Sequence, residues 1–227
     1  MKPLQAILFD LDGTLIDTAG DLIRSLNVLL ETKGLATCTT EAMRPHAGQG
    51  SYSLIRAGFG NNLSEDEYRQ LTSEFLEIYQ TLMHDTTTLF PEASGTIARV
   101  KQRGMKWGIV TNKSERLTVP ILQKMDLYDD ADCLVYGDTT TEKKPHPKPL
   151  LYAAQQINLA PQHCAYLGDT LNDVNAALHA EMRALAVSYG YRAKEADIAD
   201  WGAEAIFDTL SELCIWIDRL PIESSKQ

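Results

Sequence analysis

No C-x-x-C pair occurs in this chain. Cys38, Cys133, Cys164 and Cys214 stand far apart. That spacing argues against a structural zinc site and for reduced thiols in a cytoplasmic protein. No apolar stretch reaches the length that spans a bilayer. The apolar run after Lys2 meets acid at Asp10, too early for the core of a secretory signal. Basic residues are outnumbered, 21 Lys and Arg against 31 Asp and Glu, for a formal net charge of -10. Such a balance suits neither nucleic acid nor an anionic membrane surface as partner. An anionic substrate would need local positive charge, from a metal or from a few placed lysines. The pair Gly48-x-Gly50 lacks a third glycine and follows no strand, which excludes a dinucleotide fingerprint. His84, His146, His163 and His179 are too scattered to form a metal site. There is no internal repeat and no low-complexity tract. What remains is ordinary globular composition, 44% hydrophobic and 23% charged over 227 residues. That length builds one large domain, or one domain with a smaller insert.

Against that background one stretch stands out: Gln5-Ala-Ile-Leu-Phe-Asp10-Leu-Asp12-Gly13-Thr14-Leu15. The run from Leu4 to Phe9 reads as a strand buried on both faces, as in a parallel sheet. It ends in two acids one residue apart, at the carboxyl end where open α/β sheets place their ligands. Two crowded carboxylates there cost stability unless a cation or a proton relieves them.

Further along, Leu22, Leu26, Leu29 and Leu30 recur at helical spacing, and Gly34 suits a helix end. Arg44 to Ser51 reads as a loop between helices. Ser64 and Glu67 form a capping box that opens an amphipathic helix carrying Leu71, Phe75, Ile78 and Leu82. From about Ala19 to Asp85 no strand pattern occurs, so this region reads as an all-helical insert. Beyond Pro91, helices alternate with strands at 107–111, 133–136, 164–167, 184–187 and 205–207. A second capping box, Thr209 with Glu212, opens the last helix, and 223–227 reads as a frayed tail. Alternation of this kind implies α/β architecture, a mostly parallel sheet with helices on both faces.

Four strand-end sites could carry chemistry. They are Asp10 with Asp12, Thr111-Asn112-Lys113, Lys143-Lys144-Pro145-His146-Pro147, and Gly168-Asp169-Thr170-Leu-Asn-Asp173. Each alone has an ordinary structural explanation. Asx turns, a helix cap at Thr111-Asn112 and a solvated lysine before a stiff connection would account for them singly. The first is not an EF-hand loop, because Gly13 comes too early. In a parallel sheet, however, all four fall on one edge. Asp10, Asp12, Asp169 and Asp173 would offer hard oxygen ligands for Mg²⁺. Thr111 and Asn112 would donate to a phosphate, and Lys144 would add a positive charge. One Asp could attack phosphorus while the other moves a proton.

D-L-D-G-T, a later Thr-Asn after a strand, K-P and G-D-x-x-x-D, in that order, resemble the signature of haloacid-dehalogenase-superfamily phosphatases across almost the whole chain. The resemblance implies a Rossmann-like core of residues 1–17 and 89–227 with a helical cap of residues 18–88. It implies Asp10 as nucleophile and Asp12 as general acid, then base. It implies Mg²⁺ held by Asp10, the Asp12 main-chain carbonyl and Asp169, with Asp173 in support. Thr111, Asn112 and Lys144 would hold the phosphate. Lys144 is preferred to Lys143 because it directly precedes Pro145. The second acid, Asp12, separates this chain from the dehalogenases of the superfamily, which lack it, and the sugar phosphomutases stay open. The cap resembles that of the phosphoglycolate-phosphatase branch. Tyr189-Gly190-Tyr191 and Trp201-Gly202-Ala203 resemble a subgroup acting on N-acetylmuramic acid 6-phosphate. Thr170 stands where many relatives have serine. Gly48, Gly50 and Ser51 on the cap are expected to approach the ligand through backbone amides. Arg44, His46 and Arg56 are expected to lie near enough to read a second anionic group. The expected partner is a small phosphorylated metabolite, and the expected state a monomer or homodimer.

Overall fold

The computed structural model describes residues 3–191 and 198–221. Its centre is a six-stranded parallel sheet. The strands are β1 (Ala6–Phe9), β4 (Lys106–Val110), β5 (Cys133–Val135), β6 (Cys164–Gly168), β7 (Arg183–Val187) and β8 (Ala205–Phe207), in the order β5-β4-β1-β6-β7-β8. Strand β1 lies between β4 and β6, and all four of its side chains are fully buried. That burial is why its sequence is an unbroken apolar run. In register, Phe9 faces Ile109 on one side and Leu167 on the other. The ladder continues past the strand ends through Asp10 N–H to Leu167 O (2.8 Å) and Thr111 N–H to Val135 O (2.9 Å). These bonds hold the backbone of the first acid and of the threonine level with each other.

Helices α5 (Ala93–Gln102), α6 (Glu115–Lys124) and α9 (Leu210–Asp218) pack on one face, with Ile97, Ile121 and Leu213 against Phe9, Trp107 and Leu167. Helices α7 (Lys148–Gln156) and α8 (Leu171–His179) cover the other, with Leu150, Ala153 and Val174 against Leu8 and Tyr166. The last helix has half of its expected capping box. Thr209 accepts from Glu212 N–H, whereas the Glu212 carboxylate takes Asp208 N–H. The expected tail at 223–227 falls outside the described residues.

After β1 the chain forms β2 (Ile16–Asp17), which pairs antiparallel with β3 (Thr88–Leu89). Between them lie α1 (Ala19–Thr32), α2 (Thr40–Ala47), α3 (Ser51–Phe59) and α4 (Glu65–Leu82), with no strand among them. Leu22, Leu26, Leu29 and Leu30 of α1 pack with Leu54, Ile55, Phe75 and Tyr79. Ser64 and Glu67 form the full reciprocal box, a feature that adds about 1 kcal/mol to a helix. The loop expected over 44–51 is shorter than the sequence suggests. Arg44 to Ala47 are helical, and Pro45 sits inside α2. Thr39 caps that helix by accepting from Ala42 N–H at 3.3 Å, and the proline forgoes one intrahelical bond. Only Gly48 to Gly50 bridge α2 and α3, and Gly50, at φ 88°, adopts the left-handed region that favours glycine.

Both crossings into the helices are stapled at one carboxylate. Asp21 on α1, fully buried, accepts from Thr86 and Thr87, through both backbone N–H groups and both hydroxyls, at 2.7–3.1 Å. Among the described residues no cation pairs with it, and these donors carry the charge. Asp21→Ala strands these donors and is expected to lower unfolding stability by about 2–4 kcal/mol. Urea denaturation followed by far-UV circular dichroism measures this, and an unchanged midpoint would refute the staple.

Candidate active site

The carboxyl ends of β1, β4 and β6, with the loop after β5, converge on a cavity of about 370 Å³. Asp10, Asp12, Thr111, Asn112, Lys144 and Asp173 all line it. Lys143, Gly48 and Gly50 line it as well. A larger open groove of about 670 Å³ between α5 and α6 holds none of the motif residues. Its Lys101 is ion-paired with Asp130, so the chemistry lies in the smaller cavity.

Lys144 is the hub. Its side chain is 3% exposed, and Nζ lies 2.7 Å from Asp10 Oδ1 and 2.7 Å from Asp173 Oδ1. It also donates to the Tyr166 hydroxyl at 2.7 Å, and that hydroxyl donates to Val110 O at 2.7 Å. Burial alone would depress this ammonium, but the Asp10 and Asp173 carboxylates push its pKa up to about 12. Asn112 lines the cavity, and its side chain is also tied to the lysine loop. Its amide NH₂ donates to Lys144 O and its carbonyl accepts from Lys144 N–H, both at 3.0 Å. The asparagine therefore holds the lysine loop. Thr111 Oγ1 accepts from Lys113 N–H at 3.2 Å, which leaves its own proton to donate.

Asp169 is fully buried, and its Oδ2 accepts from Tyr191 N–H at 2.7 Å. The backbone crowds it so closely that a Cβ at Gly13 or Gly190 would overlap its side chain. Asp173, at the third position of α8, accepts from the N–H and Oγ1 of Thr170, the N-cap residue, while it pairs with Lys144. Asp10, Asp169 and Asp173 bring one oxygen each to within 4.8 Å of one another. Asp10 Oδ1 is buried and lacks a hydrogen-bond partner, since its contact with Lys144 is out of line for one. Burial pushes the Asp10 carboxyl up to about 7, with Lys144 opposing and Asp173 adding to the rise. Burial, then Asp173 and Asp10, hold Asp169 well above the usual carboxylate range.

Asp12 points elsewhere. Its Oδ1 accepts from Thr18 Oγ1 at 2.5 Å and from Lys113 Nζ at 3.0 Å, and Lys113 also reaches Oδ2 at 3.2 Å. Four carboxylates thus face two ammoniums, leaving two negative charges when all are ionised. Three clustered hard oxygen donors with a doubly negative balance fit a divalent cation.

Other residues sit differently from expectation. Arg56 does not line the cavity; it lies over the Tyr52 and Tyr68 rings (5.9 and 5.3 Å) and donates to Asn61. Arg44 pairs with Asp17 at 2.9 Å and lies 4.8 Å over the Tyr191 ring. His46 contacts Ser53. The sequence reading overlooked Lys113 as a partner of Asp12, and Tyr79 and Tyr166 altogether; it singled out Tyr191 only as part of a resemblance and not for its contacts. A tyrosine amid a fully buried strand run was a usable signal for Tyr166, because a buried hydroxyl needs a partner.

A strand end that carries two acids, an opposed lysine and an acidic cluster lie together on one sheet edge. The profile of the family described as Haloacid dehalogenase-like hydrolase matches residues 7–187. A phosphoglycolate phosphatase of Xanthomonas campestris is 37% identical over 213 residues, covering 94% of this chain and 96% of the relative. An N-acetylmuramic acid 6-phosphate phosphatase of Pseudomonas aeruginosa is 35% identical, covering 95% of this chain and 96% of the relative. The crystal structure of a predicted phosphoglycolate phosphatase from Haemophilus somnus superposes with a TM-score of 0.85 at 27% identity, covering 95% of this chain and 99% of that one. The chain belongs to the haloacid dehalogenase-like hydrolases. Within that family it is an enzyme of the phosphatase kind. No helix among the described residues is long and apolar enough to cross a membrane.

The raised carboxyl pKa values set a pH rule. In the unfolded chain these acids ionise near pH 4, whereas the folded Asp10 keeps its proton to about 7. Between those values the folded state binds more protons, so the site's contribution to stability falls as pH rises through the window. A divalent cation bound at the cluster would take the place of the proton. Added Mg²⁺ is expected to raise Tm clearly at pH 8 and little at pH 5, read by thermal-shift titration. A response that is equal at both pH values would contradict the cluster as the cation site.

Proposed function

We propose that this protein is a Mg²⁺-dependent phosphomonoesterase working through an aspartyl-phosphate on Asp10. The observation that carries the reading is Asp10 itself, buried at the end of β1, with its Oδ1 2.7 Å from the Lys144 ammonium. Asp10 attacks phosphorus, and the bond to the ester oxygen breaks. Asp12 gives its proton to that leaving oxygen. Asp12 then takes a proton from water, the water attacks the phosphorus of the aspartyl-phosphate, and phosphate leaves with Asp10 restored. Lys144 and the Thr111 hydroxyl face the phosphoryl oxygens, and Asn112 keeps the Lys144 loop in position. Asp10, Asp169 and the Asp12 main-chain carbonyl, with Asp173 in support, would hold Mg²⁺, which would supply positive charge for the phosphoryl group. Residues 18–88 act as a cap that excludes bulk water over the cavity. Four free cysteines suit a cytoplasmic setting.

For the substrate, the first reading is 2-phosphoglycolate, from the 37% identical relative. The cavity favours a second. About 370 Å³ with Leu22, Leu76 and Leu117 on its walls exceeds what a two-carbon acid fills. A sugar phosphate such as N-acetylmuramic acid 6-phosphate, the substrate named for the 35% identical relative, uses that room better. Comparing kcat/KM for the two esters separates the readings, and a higher value for the sugar ester is the expected outcome if wall area decides. Asp10→Asn is expected to abolish hydrolysis of both, and normal turnover would overturn the nucleophile. Lys144→Ala is expected to cost about 10²–10³-fold in kcat, and EDTA should remove activity that Mg²⁺ restores.

A further inference from the structure

We infer that Lys113 is a positioning residue that ties the proton carrier Asp12 to helix α4, so that the carrier is aligned only when that helix is seated on the core. The inference rests on Asp12 as the acid of the first step, as proposed above.

An ammonium has three protons to donate. At Lys113 two go to the Asp12 oxygens (3.0 and 3.2 Å) and the third goes to the Tyr79 hydroxyl at 2.9 Å. The Lys113 side chain is 8% exposed, and Leu22, Leu76 and Leu117 share the same cavity wall. Water is a poor substitute for any of the three partners there. Burial would lower this ammonium's pKa, but the Asp12 carboxylate and the Tyr79 hydroxyl hold it above the usual lysine range. Tyr79 is itself fully buried in α4, stacked on Phe75 with ring centroids 6.2 Å apart. Its hydroxyl therefore moves only when α4 moves. Asp12 Oδ1 is held also by Thr18, the residue that directly precedes α1. Asp12 belongs to the sheet edge by its backbone, yet both grips on its carboxylate lead to the helices between β2 and β3.

Lys113 touches neither Asp10 nor the acidic cluster among the described contacts. Its chemistry reaches the substrate through Asp12. Losing the tie lets the Asp12 carboxylate rotate away from the leaving oxygen, and a misplacement of about 1 Å can cost about 10²-fold. That loss depends on how much the leaving group needs a proton. Phenyl phosphate needs one more than 4-nitrophenyl phosphate does, and the two esters are nearly the same size. Contacts to the cavity wall therefore change little between them.

The test measures kcat/KM for both esters with wild type, Tyr79→Phe, Lys113→Met and Asp12→Ala. Tyr79→Phe removes one hydroxyl and keeps the ring stacked on Phe75, so it carries the test even where Lys113→Met fails to fold. Both variants are expected to lose about tenfold more on phenyl than on 4-nitrophenyl phosphate, within the range that positioned proton transfer supplies. Equal losses on the two esters, or no loss, would overturn the tie. Asp12→Ala separates the two levels of the argument. If it too lacks the asymmetry, the role of Asp12 fails. If it shows the asymmetry and the other two do not, only the role of Lys113 and Tyr79 fails.

Discussion

Everything at the sheet edge depends on how buried negative charge is balanced. Asp10, Asp12, Asp169 and Asp173 crowd one end of a parallel sheet, in ground that would otherwise be core. Lys144 is shared by two of them, Asp10 and Asp173, at 2.7 Å each, and Lys113 serves a third, Asp12. A buried pair stabilises only when its remaining hydrogen bonds are met. Here they are met by residues with little else to do: Tyr166 under Lys144, Asn112 around its backbone, and Thr170 on Asp173. The unmet remainder is one oxygen of Asp10. A polar core arranged this way fixes geometry at the expense of stability, as sites for charged substrates do.

The second constraint is that this edge and the helices above it are not independent. Tyr191 bridges them. Its backbone amide donates to Asp169, and its hydroxyl accepts from Thr18 and Ala19 N–H while donating to Asp17. Arg44 lies over its ring and pairs with the same Asp17. The Asp169 carboxylate and the start of α1 thus meet in one residue. Lys113 makes a corresponding link from Asp12 to α4.

Much of this was legible in the sequence because it follows from short-range chemistry. The unbroken run at β1, the Ser64 box and the acids closing apolar strands each rest on neighbours within a few residues. Their collection on one edge follows from parallel pairing alone. What was illegible depends on long separations or on side-chain direction. Asn112 and Lys144 lie 32 positions apart, and Lys113 and Asp12 lie 101 apart. Nothing local says that an amide will spend both its groups on a backbone, or that a lysine will turn back to the first strand. Arg56 misled because a long cation near a cavity has more than one direction to point, and two tyrosine rings won it. Arg44 to Ala47 misled because Pro45 and two nearby glycines read as a break, while Thr39 upstream was enough to start a helix. The ribbon of β2 and β3 is two residues long on each side, too short for any period to register.

That ribbon has a consequence for how the molecule tolerates change. Ile16 faces Leu89 and Asp17 faces Thr88, so the chain leaves and rejoins the sheet domain at one point. The strand registers beyond that point do not depend on how much polypeptide lies between. Closing a longer excursion costs only slowly more, about 0.6 kcal/mol for each doubling of length. The same catalytic floor can therefore carry roofs of different size. What a new roof has to supply is small and specific: a hydroxyl within reach of Lys113, a hydroxyl beside Asp12, and a carboxylate for the returning strand to grip.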